Sequence, residues 1–563
     1  MSTADDGELP ERLSGLSRDL HADVLIVGGG INGISAFREL ALQGVKVVLV
    51  EKNDYCSGAS AASSHMIHGG IRYLENGEIR LVRESLLERN RLLQTAPHFV
   101  KPLKTTIPIF SLFSGVLSAP LRLVLHRGGK PRERGALLIK LGLLIYDLFG
   151  RNAGQLPRHE FFGRKKSLAV LPALNAEVKF TAHYFDAAIE NPERLALDLL
   201  DDALAQGKHA RAANYVEATS VTRDAIVLVD RMSGETMKLQ APVIINASGP
   251  WTDLTNHGFG LTSAYMGGTK GSHVVLDNPE LYEACGGREI FFENDDGRIV
   301  LMYPLLGRVL IGTTDIPIDN PEDAVCTEEE VDYFFDLASH VFPAIVLDRS
   351  QIVFRYSGVR PLPAAGDLSP GVVSRDYRIV DDTLASGHQV LSLVGGKWTT
   401  FRALGEHLAD EALKKLPAVR TVSTIGLAIG GGKDFPTTES QRTQWVESHR
   451  GELSHERVNE LLTRYGTVSH RIMDDIAAHG DTPLTHTPSY SVGEITSLAL
   501  REHVVTLSDV LFRRTLLGFT GRMSAESVKE IAGIVAAVLG WSTPEKKKQI
   551  SSIVLERSLH HES

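Results

Sequence analysis

Apolar and polar positions change period several times along this chain, and each change predicts a different element. "VLIV", Val24 to Val27, is an unbroken apolar run, as expected of a strand covered on both faces. A glycine-rich turn follows. Ile34, Phe37, Leu40 and Ala41 then recur at helical spacing. A second apolar run, Val45 to Val50, ends at Glu51. "EIRLVRESLLERNRLLQTAPH" places Ile79, Val82, Leu86, Leu87 and Leu92 at helical intervals. "PERLALDLLDDALAQG" predicts another helix, and "ATSVTRDAIVLVDRMSGETMKLQAPVIINASG" predicts strand, turn, strand and a buried strand, Val243 to Asn246. Residues 265 to 360 alternate in "GSHVVLD", "GRIVLMYPLLGRVLIGTTD" and "QIVFRYSGVRPL", which predicts an antiparallel sheet. "HQVLSLVGGKWTTFRALGEHLADEAL" returns to strand, turn and helix. Beyond "GGGKDFP" the pattern of residues 437 to 560 is mostly helical.

Composition narrows the class. At 563 residues the chain is too long for one simple core. Its 43% hydrophobic and 23% charged residues are those of an ordinary soluble globular protein, and a net charge of -10 argues against general nucleic-acid binding. Cys56, Cys285 and Cys326 are odd in number and match no metal spacing, which suits a reducing compartment. Residues 1 to 20 are polar and charged, so they predict a flexible leader and no secretory signal. No run approaches 18 consecutive apolar residues, so no spanning helix is expected. Residues 101 to 151 stand apart: nine Lys or Arg against only Glu133 and Asp147, interleaved with "IPIFSLFSGVL", "LRLVL" and "ALLIKLGLLIYDLF". That mixture suits peripheral contact with an anionic bilayer; the alternative is an ordinary helical core with a basic loop.

The first glycine turn carries the first chemistry. Gly28, Gly30 and Gly33 have G-x-G-x-x-G spacing between a strand and a helix. Such glycines permit a tight turn, close approach of a pyrophosphate and close helix packing, and Glu51 lies where it can accept hydrogen bonds from a ribose. Two later glycine turns also follow buried strands: Ala247, Ser248 and Gly249 in "NASGPW", and Gly395 and Gly396 in "LVGGKWTT". A long dinucleotide such as FAD needs backbone at several such places, and a helix start near the flavin favours its reduced, negative form. The fold class expected is α/β plus α: a Rossmann-like FAD-binding domain, an antiparallel-sheet substrate domain and a helical C-terminal domain. The division expected is a leader to residue 20, FAD-binding parts at 21–100, 176–262 and 361–430, a basic apolar insertion at 101–175, a substrate sheet at 263–360 and helices at 431–563.

The motifs "GGGINGI", "SAASSHMIHGGIRYLE", "NASGPW", "KGSHVV", "IGTTD", "YSGVRPL", "GGKWTTFR" and "LSDVLFRRTLLG" occur in one order over most of the chain. With them the sequence resembles the FAD-dependent glycerol-3-phosphate dehydrogenases. It departs from their usual pattern at Phe401, around Arg38 and Glu39, and in "AHYFDAAIENPERL". The resemblance implies non-covalent FAD, with contacts from Asn32, Ser63, Ser64, Gly69, Ala247, Gly249, Gly396, Lys397 and Thr399 besides Gly28, Gly30, Gly33 and Glu51. It implies a substrate pocket of His68, Arg72, Tyr73 and Arg360, and chemistry by His273, Arg360 and Lys397. Alcohol oxidation needs alignment, a proton acceptor and a polarising cation. His273 is ranked as the base, with Arg360 and Lys397 polarising the alcohol. For Arg360 an internal carboxylate partner is the alternative; for His273, a structural strand histidine.

The expected partners are a small polyol phosphate, a membrane quinone and a lipid surface, with a homodimer left open and no nucleic acid. The expected location is cytoplasmic, peripheral on the inner face of the cell membrane. The leading activity is oxidation of sn-glycerol 3-phosphate to dihydroxyacetone phosphate with electrons passed to quinone. A related polyol phosphate such as erythritol phosphate is the alternative, oxygen is an alternative acceptor, and a flavin-bound RNA-modifying protein is the competing class.

Overall fold

The computed structural model describes residues 13, 16, 19–71, 78–111, 136–150, 156–293, 299–364 and 376–561. Val24–Val27 lies inside a six-stranded sheet ordered Arg378–Thr383, Gln389–Val394, Val243–Asn246, Val24–Val27, Val47–Glu51 and Ala210–Asn214. Only the first two pair antiparallel. A parallel sheet needs cover on both faces, and alternation along the strand supplies it. Val24 and Ile26 join a core with Ile34, Phe37 and Leu40 of the helix Ile31–Leu42 and with Leu404 of the helix Phe401–Leu413. Leu25 and Val27 face the opposite core, with Ile226, Leu239 and Ile244. This is a Rossmann-like arrangement.

The described residues of the leader are packed rather than free. Leu13, Leu16 and Leu20 are buried in that second core, and Asp19–His21 pairs in parallel with Thr236–Gln240. Together the three leucines add to the apolar cover of that side of the sheet.

A larger sheet holds the substrate side. Thr269–Leu276 pairs antiparallel with both Ile352–Arg360 and Arg308–Gly312, and the sheet continues through Ile299–Leu305 and Glu289–Glu293. It then passes by one parallel pairing to Val100–Ile109, and on to Phe180–Ile189. Residues 180–189, grouped with the nucleotide-binding part from sequence, therefore lie in this sheet. Their ladder with Val100–Ile109 runs unbroken from Val100↔Ile189 to Ile109↔Phe180, a long-range pairing that local pattern does not reveal. The helices from Glu439 to His561 enclose a core of their own, with Val458, Leu461, Ile495, Leu498, Ile531 and Val535. Among the described residues no helix is long and apolar enough to cross a membrane.

Candidate active site

The glycine turn is built as its spacing predicts. Gly28 has φ +110°, and a Cβ there would sit 2.6 Å from the Ala247 carbonyl oxygen. A Cβ on Gly33 would lie 2.0 Å from the Gly28 oxygen, so only glycine lets the helix approach its own turn so closely. Gly30 caps the helix, whose first amide, Ile31 N–H, donates to Ser60 Oγ at 3.0 Å. Glu51 accepts from Gly29 N–H at 2.7 Å and from Asn53 N–H at 2.9 Å. Burial raises its carboxyl, and those two amides pull the other way.

The second glycine turn abuts the first. Gly396 has φ +116°, and a Cβ there would fall 2.4 Å from Asn32 Nδ2. Asn32 Oδ1 and Thr400 Oγ1 are buried with no hydrogen-bond partner among the described residues. Ser35 Oγ donates to the Phe401 carbonyl at 2.9 Å, so the helices Ile31–Leu42 and Phe401–Leu413 start beside one another. Two helix N-termini, a glycine cradle and unpartnered buried polar atoms fit a long anionic dinucleotide.

The loop at 58–68 ties these turns to the large sheet. Trp398 Nε1 donates to the Ser60 carbonyl at 2.9 Å, and Thr399 Oγ1 to the His68 carbonyl at 3.2 Å. Ser64 Oγ lies 2.8 Å from His273 Nε2. Ser63 accepts from Tyr356 Oη at its carbonyl, at 2.7 Å. His273 stacks on Tyr356 with ring centroids 4.8 Å apart, and its Nδ1 is buried with no partner among the described residues. Burial first, then the charges of Arg360 and His65, push the imidazole well below its ordinary value, so it is neutral.

Arg360 lies on the same face. A Cβ on Gly271, two positions from His273 in one strand, would meet Arg360 Nη2 at 2.2 Å. Its guanidinium donates to Asp315 Oδ1 at 3.1 Å, Thr313 Oγ1 at 2.8 Å and the Thr314 carbonyl at 2.9 Å. The internal carboxylate weighed from sequence is therefore present, and it fixes the arginine beside His273. Lys397 is half-buried. Burial raises the Glu84 carboxyl, and Arg80 and Lys397 offset part of that rise.

Most of the residues singled out from sequence converge here. Gly69 N–H donates to Asp186 Oδ1 at 2.9 Å and Tyr146 Oη at 3.1 Å, and a Cβ would strike that hydroxyl. The missing side chain makes room for Tyr146. Gly249 has φ +60° with open space around it. Arg72 and Tyr73 lie outside the described residues. Sequence reasoning missed Ser60, Trp398, Asp315 and Tyr356. All four sit inside quoted motifs, and Ser60 and Trp398 lie in irregular loops that give no period to follow.

A family model described as FAD dependent oxidoreductase matches residues 23–411, and one described as the C-terminal domain of alpha-glycerophosphate oxidase matches residues 422–546. Fold and site thus define a FAD dependent oxidoreductase, with FAD as its cofactor. A glycerol-3-phosphate dehydrogenase of Synechocystis sp. is 32% identical, covering 94% of this chain and 95% of the relative. The chain belongs to the FAD-dependent glycerol-3-phosphate dehydrogenase family. A D-erythritol 1-phosphate dehydrogenase of Brucella abortus is 31% identical over 88% of this chain and 94% of that one. The fold is shared with the X-ray structure of a glycerol-3-phosphate dehydrogenase from Bacillus halodurans complexed with FAD, at TM-score 0.73 and 20% identity, covering 96% and 95% of the two chains.

Proposed function

We propose that the chain oxidises sn-glycerol 3-phosphate to dihydroxyacetone phosphate, using non-covalent FAD, and passes the electrons to a membrane quinone. The observation that carries this reading is the shared face of His273 and Arg360, joined by Ser64 and Ser60 to the glycine turn. Bound FAD supplies the two-electron acceptor. The chain supplies the rest. Arg360, braced by Asp315, Thr313 and Thr314, holds substrate oxygens and stabilises the developing alkoxide. With Nε2–H donating to Ser64, Nδ1 of neutral His273 carries the lone pair and takes the alcohol proton. Lys397 adds a cation beside the second glycine turn, and the family resemblance assigns substrate contacts to His68, Arg72 and Tyr73. Similarity to the erythritol phosphate enzyme favours a second reading, in which the same pocket takes a longer polyol phosphate.

Membrane attachment rests on the helix Ala136–Gly150. Leu137, Leu141, Leu144 and Leu148 recur at helical spacing and are each more than half exposed, while Leu143 and Tyr146 on the other side are buried. An exposed apolar stripe in a strongly basic segment suits an anionic lipid surface. The chain then works on the inner face of the cell membrane without spanning it, and whether it does so as a monomer or a homodimer does not alter the chemistry.

The arginine tests the pocket. Arg360→Lys should keep FAD and the fold yet lose flavin reduction by polyol phosphates, because an ammonium cannot reproduce the braced fork. Losing such a charged contact costs roughly 2 to 5 kcal/mol, or about 30-fold to several-thousand-fold in rate. Anaerobic bleaching as fast as the parent's would make Arg360 purely structural.

A further inference from the structure

Asp54 lies three residues beyond Glu51, in the turn that closes over the glycine fingerprint. The backbone of that turn grips the fingerprint from outside. Cys56 N–H donates to the Gly29 carbonyl at 3.0 Å, and Asn53 N–H donates to Glu51 Oε1 at 2.9 Å. A Cβ on Gly29 would lie 2.8 Å from Tyr55 Cδ1, so the ring presses on that glycine.

The Asp54 carboxylate faces the C-terminal helical part. Arg514 Nη2 donates to Oδ1 at 2.8 Å, and Asn214 Nδ2 to the same oxygen at 2.9 Å. Arg514 Nη1 donates to Oδ2 at 2.5 Å, and Arg513 Nε donates there too. Arg513 continues to Asp509 at 2.7 Å, which also accepts from Tyr215 Oη at 2.6 Å and from the amides of Val505 and Thr506. The side chains of Asp54 and Arg514 are fully buried. Burial opposes the charge on Asp54, and the two arginines overcome it, holding the carboxyl well below the usual range. A buried ion cluster stabilises a fold less cheaply than apolar packing of the same volume, and its best-attested use is to set registry. Here it ends on the turn that fixes Gly29 and Glu51.

We propose that Arg513 and Arg514 form a cofactor-positioning device: acting through Asp54 they set the 53–56 turn, and thereby the Gly29 and Glu51 geometry that retains FAD. The proposal rests on the reading of Gly28–Gly33 and Glu51 as the dinucleotide site. It makes the C-terminal helical part a contributor to flavin retention from a place that touches no reacting atom.

The test follows FAD release from purified holoenzyme by flavin fluorescence, with far-UV circular dichroism on the same samples. Arg513→Gln should release FAD at least about tenfold faster than the parent at 25 °C with its helix signal intact, since one charged hydrogen bond is worth about that factor. Arg513→Lys should fall between the two. On heating, flavin fluorescence should rise before helix is lost. Release that occurs only together with helix loss, at the parent's rate below that point, overturns the proposal. If Arg513→Gln does not fold, Tyr215→Phe removes a single bond to Asp509 and should give a smaller shift of the same sign; coincident transitions there overturn the idea equally. Gly30→Val separates the two layers. If it keeps FAD, the dinucleotide reading itself fails. If it loses FAD while Arg513→Gln and Tyr215→Phe hold FAD as the parent does, only the positioning device fails.

Discussion

His65 and Glu289 carry opposite pH signatures. Burial pushes the His65 imidazole down to about 4, so its contribution to stability is present above the unfolded value near 6.5 and is lost as pH falls through 4. Burial pushes the Glu289 carboxyl up to about 8, with the Thr105 hydrogen bond lowering it and Asp186 raising it. Its contribution is complete below pH 4.5 and is lost as pH rises through 8. Glu289→Gln keeps an acceptor for Thr105 Oγ1, which donates at 2.7 Å, and cannot ionise. Its melting temperature should therefore gain on the parent's between pH 5 and 9, by up to roughly 4 to 5 kcal/mol in stability. A gap that does not change with pH would contradict the assignment. Single residues were the least legible level of the sequence. Arg360 stood out because a charge ended an apolar strand, but Asp315, 45 positions earlier, is a partner that only the fold brings near. Ser60 and Trp398 escaped for the same reason: their contacts join loops more than three hundred residues apart in sequence.

At the scale of elements, period carried further. The apolar runs Val24–Val27 and Val243–Asn246 are strands buried at every position, and helical spacing located Ile31–Leu42 and Ile79–Thr95. In the leader, charged residues mask the leucines at 13, 16 and 20, whose value comes only from the strands they cover. The helix Ala136–Gly150 is apolar except at Lys140 and Asp147, so its sequence does not say which apolar side is left exposed; the structure puts Leu137, Leu141, Leu144 and Leu148 there. Fully burying a leucine is worth about 1.5 to 3 kcal/mol, so Leu141→Glu with Leu144→Glu should weaken binding to anionic vesicles by two orders of magnitude or more. Co-sedimentation at low and high salt measures it, and flavin bleaching by substrate should persist. Undiminished binding of the double variant would move the lipid contact elsewhere.

Across the whole molecule, three glycine turns far apart in sequence meet at neighbouring strands, because Val24–Val27 and Gln389–Val394 flank Val243–Asn246 in parallel. That much was legible, since each turn followed a buried run. The route of the large sheet from residue 109 to residue 180 was not, because strand pairing over such distances leaves no local trace. Legible least of all was the cluster of Asp54, Arg513 and Arg514, whose members are separated by most of the chain. The pocket proposed on this frame sets Arg360 and Lys397 against a phosphorylated alcohol, and one measurement bears on that proposal most directly. Holoenzyme is mixed anaerobically with glycerol 3-phosphate, erythritol phosphate or free glycerol, and flavin bleaching is followed by stopped flow. Bleaching should be fastest with glycerol 3-phosphate and poor with glycerol, which leaves the cations without their anion. Faster bleaching by erythritol phosphate, or bleaching by glycerol at the rate of its phosphate, would contradict the substrate assignment.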